Sequence, residues 1–414
     1  MRRSLRAIVV TSTVAAVAFG SLLAVPAHAA DNKIVIWTDK DRATAVQYLF
    51  PNGYKGIPVE VVVKNFEDIR ASVSQVTADA APDVVFGAND WVGELAANGK
   101  IVKLNLADRA KLALDTGAVS AFNYRGGQYG VPVATENIAL ITNASLIPTQ
   151  PKTFDELSKM ALAVKKSGKA TVALDIQQGA GGDAYHMYPL FSGLGGYIFG
   201  KTASGAYNTN DIGVFNKTFA ANAKMIDEWN RTGLISSKVD ADIAKSTFLA
   251  GKSPFWITGP WNLSDIKDPA KSKVTKYRIT AVPPIVAGQR PVPFIGAQGV
   301  MLTSFAAGHG VESAARSLVS EYMATEKAQY QLSALNDRYP ANKAAALRVQ
   351  NPQLKAFGAA GAGGIPIPNI PQMNSVWGPL GSAWVASTKG PGAIPAAKSF
   401  AQAQAAIKKA LAAG

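Results

Sequence analysis

Three short apolar runs near the start of the chain constrain its fold more than any other feature. Lys33-Ile34-Val35-Ile36-Trp37, Val59 to Val63 and Asp83-Val84-Val85-Phe86-Gly87 are apolar almost throughout and rich in β-branched residues. Such runs suit strands buried on both faces, because a half-exposed strand would alternate polar and apolar positions. Between the second and third runs, segment 66–76 places apolar side chains at Phe66, Ile69, Val73 and Val76. That spacing of three, four and three is one stripe of a helix. Strand, helix and strand recurring about every 20–25 residues predict parallel pairing, since parallel neighbours need a long crossover. An α/β lobe follows from this alone.

A second unit of the same kind begins after Pro132. Ile138 to Thr142 and Ala170 to Leu174 read as strands. They flank a helix opened by Thr153-Phe154-Asp155-Glu156, where Thr153 caps and Glu156 stands three residues on, as in a capping box. Further helices are predicted over 216–230, 243–250, 311–325 and 401–412. Segment 358–371 is rich in Gly and Pro and reads as a connector. No repeat of solenoid period is present. With 414 residues, at roughly 150 per domain, the expected architecture is two α/β lobes with the chain crossing between them more than once.

Composition removes several classes of function. Hydrophobic residues make up 48% of the chain and charged ones 17%, too apolar for disorder and too polar for a membrane bundle. There is no cysteine, hence no disulfide, thiolate metal site, cysteine nucleophile or thioether lipid anchor within these residues. Of the three histidines, His186 and His309 are far apart in sequence and lack acidic clusters, so neither a metal nor another cofactor is expected.

The first residues read as an export signal. Three arginines in Met1 to Arg6 precede an apolar run from Ala7 to Val25 and the small-residue site Pro26-Ala27-His28-Ala29. A membrane anchor is the competing reading, but Thr11, Ser12, Thr13, Gly20 and Ser21 dilute the run. Cleavage after Ala29 would place the mature chain in a periplasm, in the cell envelope or outside the cell. Removing those three arginines lowers the net charge from +14 to +11. The remaining cations are scattered in small groups such as Lys165, Lys166 and Lys169, with no interleaved aromatic residues. Solvated faces, rather than a nucleic-acid partner, are therefore expected, with attraction to an anionic envelope as a lesser option.

Two motifs are set aside on physical grounds. Segment 195–202 matches the phosphate-loop spelling G-x-x-x-x-G-K-T, but turn residues follow Lys201 where a helix is needed, and Tyr197, Ile198 and Phe199 crowd the loop. The glycines of segment 358–364 have no strand before them and are not a dinucleotide turn. What remains is a set of aromatic residues beside turns with acids nearby: Trp261 after Gly259-Pro260, Trp377 after Pro371, Trp91 beside Asp90, and Tyr185 near Asp183. Flat rings suit the C–H faces of pyranoses, and carboxylates accept hydrogen bonds from vicinal hydroxyls.

These segments resemble the periplasmic-type maltose/maltodextrin-binding proteins, the solute-binding subunits of ABC sugar importers. The resemblance is carried by Lys33 to Trp37, Ala81 to Phe86 with Asp90, Val131-Pro132-Val133-Ala134-Thr135-Glu136, Pro151 to Leu157, Gly259-Pro260-Trp261 and Pro368-Asn369-Ile370-Pro371-Gln372-Met373. It implies the two-lobed type II periplasmic-binding fold, with one lobe over 31–135 plus 300–347 and the other over 138–297 plus 352–414. It further implies a monomer that closes on an oligosaccharide and presents it to permease subunits. Carried over by position, Asp39 and Lys40 match the family's Asp-Lys pair, and Asp90 and Glu136 match hydroxyl-binding acids. Asp183 and Tyr185 match an acid–aromatic step preceded by an insertion at 179–182, while Trp261 and Trp377 match stacking tryptophans. Gly87 replaces a third stacking tryptophan, Trp91 replaces an arginine and could itself restore the lost ring, and Gly378 and Gly381 replace a tyrosine and an arginine. The sugar and its length stay open. A secreted glycoside hydrolase, which uses similar residue types, and a binding protein for a polyamine or peptide are the alternatives.

Overall fold

The computed structural model describes residues 32–413; the export signal expected over 1–29 lies outside them. Two sheets organise the molecule. In the first, the strands lie in the order Tyr339–Pro340, Val131–Glu136, Phe294–Leu302, Val84–Ala88, Ile34–Thr38, Val59–Val63, and Ile365–Pro366 also joins Phe294–Leu302. The parallel pairing expected of the N-terminal runs is present: Ile36 stands opposite both Val61 and Val84. The crossover helix Phe66–Gln75 buries Ile69 and Val73, two of the four stripe residues. Not foreseen was the nine-residue strand Phe294–Leu302, which inserts antiparallel between Val84–Ala88 and Val131–Glu136. Gly296 and Gly299 interrupt its apolar pattern and hide it from a search for β-branched runs.

The second sheet runs Tyr277–Thr280, Ala139–Asn143, Phe255–Thr258, Asp175–Ile176. Here one expectation is corrected. Ala170 to Leu174 is not a strand; only Asp175–Ile176 pairs, in parallel, with Phe255–Thr258. The amides of Thr171 and Val172 instead go to the Lys252 carbonyl, at 2.9 and 3.4 Å. Ala173 and Leu174 are buried, so the apolar run signalled burial and not ladder pairing. Segment 216–230 is split into Lys217–Asn222 and Lys224–Thr232, and 311–325 becomes Glu312–Ser317 followed by a wider turn of helix, Leu318–Tyr322. The expected helices over 243–250 and 401–412 are Ala241–Leu249 and Ala396–Ala413. The connector begins later than expected, because the helix Pro352–Ala360 runs into it.

Helix starts follow their cap chemistry. Thr153 Oγ1 accepts from the Glu156 amide at 3.2 Å, and Glu156 Oε2 accepts in return from the Lys152 amide at 2.7 Å, one residue before the cap. The phosphate-loop look-alike leads into the hairpin strand Phe199–Lys201, paired antiparallel with Tyr207–Ile212. Among the described residues, no helix is long and apolar enough to cross a membrane.

Each sheet carries its own core. The first draws on residues between Ile34 and Val133 and between Ala297 and Ala341. The second is covered on one face by a cluster from Ile138 to Ile407 and on the other by Ala139, Phe248, Trp256, Val349 and Phe357 among others. The chain passes between cores at Val133–Ile138, Phe294–Ala297 and Ala341–Val349. Two lobes joined by three adjacent crossings is the resulting architecture, and the crossings place residues of both lobes around one junction.

Candidate functional site

On the first-lobe side of the junction, a chain of charges is held below the surface. Asp39 caps the helix Lys40–Leu49, accepting from the amides of Asp41 and Arg42 at 3.0 and 3.3 Å. Its other oxygen takes the guanidinium of Arg42. Arg42 Nη2 then donates to Gln298 Oε1 at 2.8 Å, Gln298 Nε2 donates to Glu136 Oε1 at 2.7 Å, and Arg338 Nε donates to Glu136 Oε2 at 2.8 Å. All five side chains are buried. Two acids and two arginines cancel, with a neutral amide relaying between them, the condition under which buried charge is tolerated. Burial works to raise the Asp39 carboxyl, but Arg42 and then Arg338 outweigh it and hold the group below its usual range. A void of about 10 Å³ lies beside the arginines, lined by Arg42, Asn336 and Arg338. Arg42 Nε, Asn336 Oδ1 and Arg338 Nη1 lack protein partners, and the void has the size of one water.

Asp90 precedes the helix Trp91–Ala97 and accepts from Trp377 Nε1 at 3.2 Å, with Arg70 Nη1 at 3.9 Å. Burial pushes its carboxyl above the ordinary range against the pull of Arg70 and that hydrogen bond. Trp91 is only 5% exposed, its ring 5.0 Å from that of Phe66. A Cβ on Gly87 would collide with that ring, so the Trp91 indole fills the space over Gly87. Lys40 is exposed at the start of its helix.

The second-lobe side is aromatic. Tyr185 lies 6.4 Å from Trp261 and stacks on Phe294 at 6.3 Å, and Phe294 meets Trp377 edge-on at 5.8 Å. Trp261, Trp377 and Tyr185 are all partly exposed. Asp183 accepts from Gln177 Nε2 at 2.7 Å and from the His186 amide at 2.9 Å, and is paired with His186 Nδ1 at 2.8 Å. Burial favours a raised Asp183 carboxyl, yet His186 wins and lowers it. Tyr185 Oη and His186 Nε2 are buried without a partner. The Tyr185 phenol is pushed well up, first by burial and then by Glu136 and Asp183, so it remains an O–H donor at neutral pH. Tyr185 stacks on Phe294, Phe294 meets Trp377 edge-on, and the Trp377 indole donates to Asp90, so the aromatic wall reaches the first lobe. Arg338 completes the bridge, its guanidinium 6.0 Å from the Trp261 ring. A cavity of about 370 Å³ opens next to this junction, lined by Glu136, Pro260, Ile295, Tyr339 and Phe357 among others.

A family model described as bacterial extracellular solute-binding protein matches residues 50–361, most of the length. The chain belongs to the bacterial extracellular solute-binding proteins. Among its relatives is the galactooligosaccharide-binding protein of Bacillus subtilis strain 168, 27% identical over 85% of this chain and 83% of that one. The maltodextrin-binding protein MdxE of the same organism is 29% identical over 78% of this chain and 76% of its own. A maltooligosaccharide ABC transporter solute-binding lipoprotein of Streptococcus pneumoniae is 28% identical, over 79% and 80%.

In this solute-binding protein, Asp39, Asp90, Glu136, Asp183, Tyr185, Trp261 and Trp377 converge on the junction, while Lys40 is exposed and Trp91 is buried against Phe66. Sequence reading passed over the groups that hold them: Arg42, Gln298 and Arg338 for the acids of the first lobe, and Gln177 and His186 for Asp183. No local pattern marks a lone arginine such as Arg338 as a partner of Glu136, 202 residues away. Glu67 was also missed. Crowding by protein, then the charge of Asp183, pushes its carboxyl up to about 7, with His186 and Arg70 pulling the other way, while the side chain itself stays exposed. Among the described residues, no group of three or more acids and histidines is arranged to hold a metal ion.

Proposed function

We propose that this protein binds an oligosaccharide of the maltodextrin type between its lobes and delivers it intact, as a monomer, to the permease of an ABC importer. The lobes in this reading are 31–135 plus 300–347 and 138–297 plus 352–414. The observation that carries it is the unequal pair of walls, one of fixed carboxylates and guanidinium groups, the other of partly exposed rings with an unpartnered Tyr185 hydroxyl. An uncharged polyol matches both: its hydroxyls meet Asp90, Glu136, Asp183 and Tyr185, and its C–H faces meet Trp261 and Trp377. The names of the relatives, all oligosaccharide binders, support the same class. Ligand bridging the walls shifts the population to the closed form. Calorimetry against maltose, maltotetraose, a galacto-oligosaccharide, spermidine and a short peptide tests it. Heat is expected with the saccharides alone, and Trp261→Ala or Trp377→Ala should weaken binding by about 1–3 kcal/mol, the scale of ring stacking. Heat with spermidine or the peptide only would overturn the reading.

One observation favours a second reading, a glycoside hydrolase. Glu67 is raised to about 7 while neighbouring Asp183 is lowered, and such a split separates a general acid from a carboxylate. The hydrogen bonds that Asp183 accepts from Gln177 and His186 count against its acting as a nucleophile. Chromatography after incubation with maltotetraose decides: intact tetraose supports binding, and release of glucose or maltose supports hydrolysis.

A further inference from the structure

The excess positive charge is divided unevenly between the lobes. Residues 32–137 and 297–351, built on the first sheet, hold 16 lysines and arginines against 16 acids. Residues 138–296 and 352–413 hold 23 against 11, and the last of these segments has five lysines and no acid. The second lobe therefore carries all of the net charge of the described chain. No more than two lysines are ever adjacent in sequence, so no motif announces it.

The fold gathers part of this excess on one end of the lobe, around the helix Lys224–Thr232. Gly390 donates its amide to Asn230 Oδ1 at 2.8 Å, Ala396 to Asp227 Oδ1 at 2.8 Å, and Ser237 to the Thr388 carbonyl at 3.0 Å, while Lys165 Nζ reaches the Gly233 carbonyl at 3.1 Å. The ends of Phe154–Lys166 and Asn374–Thr388 and the first turn of Ala396–Ala413 thus converge. Exposed Lys166, Lys169, Lys238, Lys389 and Lys398 come with them. None of the five forms an ion pair among the described residues. Of the nearby acids, Glu228 is neutralised by a two-pronged contact with Arg231, Asp227 accepts the Ala396 amide and Asp240 caps the helix Ala241–Leu249; with exposed Asp242 they are still outnumbered by the cations around them. Cations favour helix C-termini, and Lys166 in the last turn of Phe154–Lys166 and Lys389 at the end of Asn374–Thr388 fit that rule; it leaves Lys169, Lys238 and Lys398 unexplained.

We propose that this face docks the protein on the anionic phospholipid surface of the cell membrane, with lipid phosphates as the chemistry recognised. A Lys or Arg near an anionic bilayer surface contributes about 1 kcal/mol of attraction, so five on one face suffice for a salt-sensitive association. The attraction fades over a Debye length of about 8–10 Å, so it requires cations on an outer face, as found here, and not in the cleft. It needs no covalent lipid, and the chain has no cysteine to carry a thioether-linked one. The neutral first lobe is not attracted, which leaves it free to swing about the hinge.

Sedimentation of the mature protein with phosphatidylcholine vesicles, with and without phosphatidylglycerol, tests the proposal at low and high salt. Binding is expected only with phosphatidylglycerol and only at modest salt. Replacing Lys166, Lys169, Lys238, Lys389 and Lys398 together by Gln should weaken it at least about tenfold. Replacing Lys100, Lys103 and Lys111 of the first lobe by Gln should leave it unchanged, and melting curves check that both variants fold. Equal binding to neutral vesicles, equal loss in the two variants, or binding to a soluble polyphosphate with none to vesicles would overturn it. Saccharide affinity is expected to be the same in both variants, so the cleft and this face are judged separately.

Discussion

The two lobes treat buried acids differently. In the first, Asp39 and Glu136 are each largely buried against a guanidinium, Arg42 or Arg338. In the second, Asp175 is wholly buried but faces hydroxyls, both of its oxygens 2.9 Å from Thr247 Oγ1. Burial pushes its carboxyl up to about 7, with Thr247 and Ser253 only partly opposing the shift. Depth alone therefore does not decide whether an acid keeps its charge; the partner does. The same contrast shapes the cleft. The first lobe offers fixed, mutually neutralised polar groups, and the second offers aromatic faces together with Asp183, which His186 rather than an arginine holds low.

The largest effect should come from breaking the first-lobe network. Arg338→Met removes the cation and leaves Glu136 buried beside only an amide, which should destabilise the protein by about 3–5 kcal/mol, read as a lowered urea midpoint. Adding Glu136→Gln should restore part of that loss, because no uncompensated charge then remains. A loss below about 1 kcal/mol for Arg338→Met would mean that the charges are not balanced as described, and the contrast between lobes would fail.

Asp175 supplies the converse test. Its folded pKa of about 7 lies above the value of 3.8 expected in the unfolded chain, so the folded state holds the extra proton between those two values. Stability from this group is full below about pH 4 and is lost as pH rises toward 7. Asp175→Asn copies the protonated form. It should flatten that pH dependence and stabilise the protein at pH 8 by up to about 4 kcal/mol, at roughly 1.4 kcal/mol per unit of pKa. Thermal unfolding at pH 5 and pH 8 checks this; an equal melting-point change at both values would show that Asp175 is not the titrating group.

These partner effects explain what was legible beforehand. The parallel strands, the Thr153 cap and the helix over 66–76 depend on neighbours within a few residues, and the chain spells them out. Trp261, Trp377 and Asp90 stood out as rings and an acid beside turns, and the resemblance pointed to them again and added Glu136. Phe294–Leu302 escaped notice because its strand character comes from the neighbours it lies between. Arg42, Gln298 and Arg338 escaped for the same reason at the level of side chains, since Gln298 lies 256 residues from Arg42. Ala170 to Leu174 was misread because apolar residues report burial, and burial is shared by strands and by loops under helices.

The smallest expected effect concerns the inserted loop that leads into Asp183. Gly182 has φ of +73°, and a Cβ there would collide with the backbone of Gly381, on the helix Asn374–Thr388. Two of the departures from the resembled family thus answer each other: without a side chain at 381, the 179–182 loop can lie on that helix. Gly182→Ala adds a left-handed alanine, costing about 1–2 kcal/mol, and forces the loop off the helix. Because Asp183 is the next residue and positions His186, the second-lobe wall should shift while the arginine-held wall stays. Saccharide affinity should therefore fall by more than stability does, whereas Arg338→Met lowers stability first. If Gly182→Ala lowered the urea midpoint but left calorimetric affinity at its original value, the loop would be only a structural filler, and the second wall would be as rigid as the first.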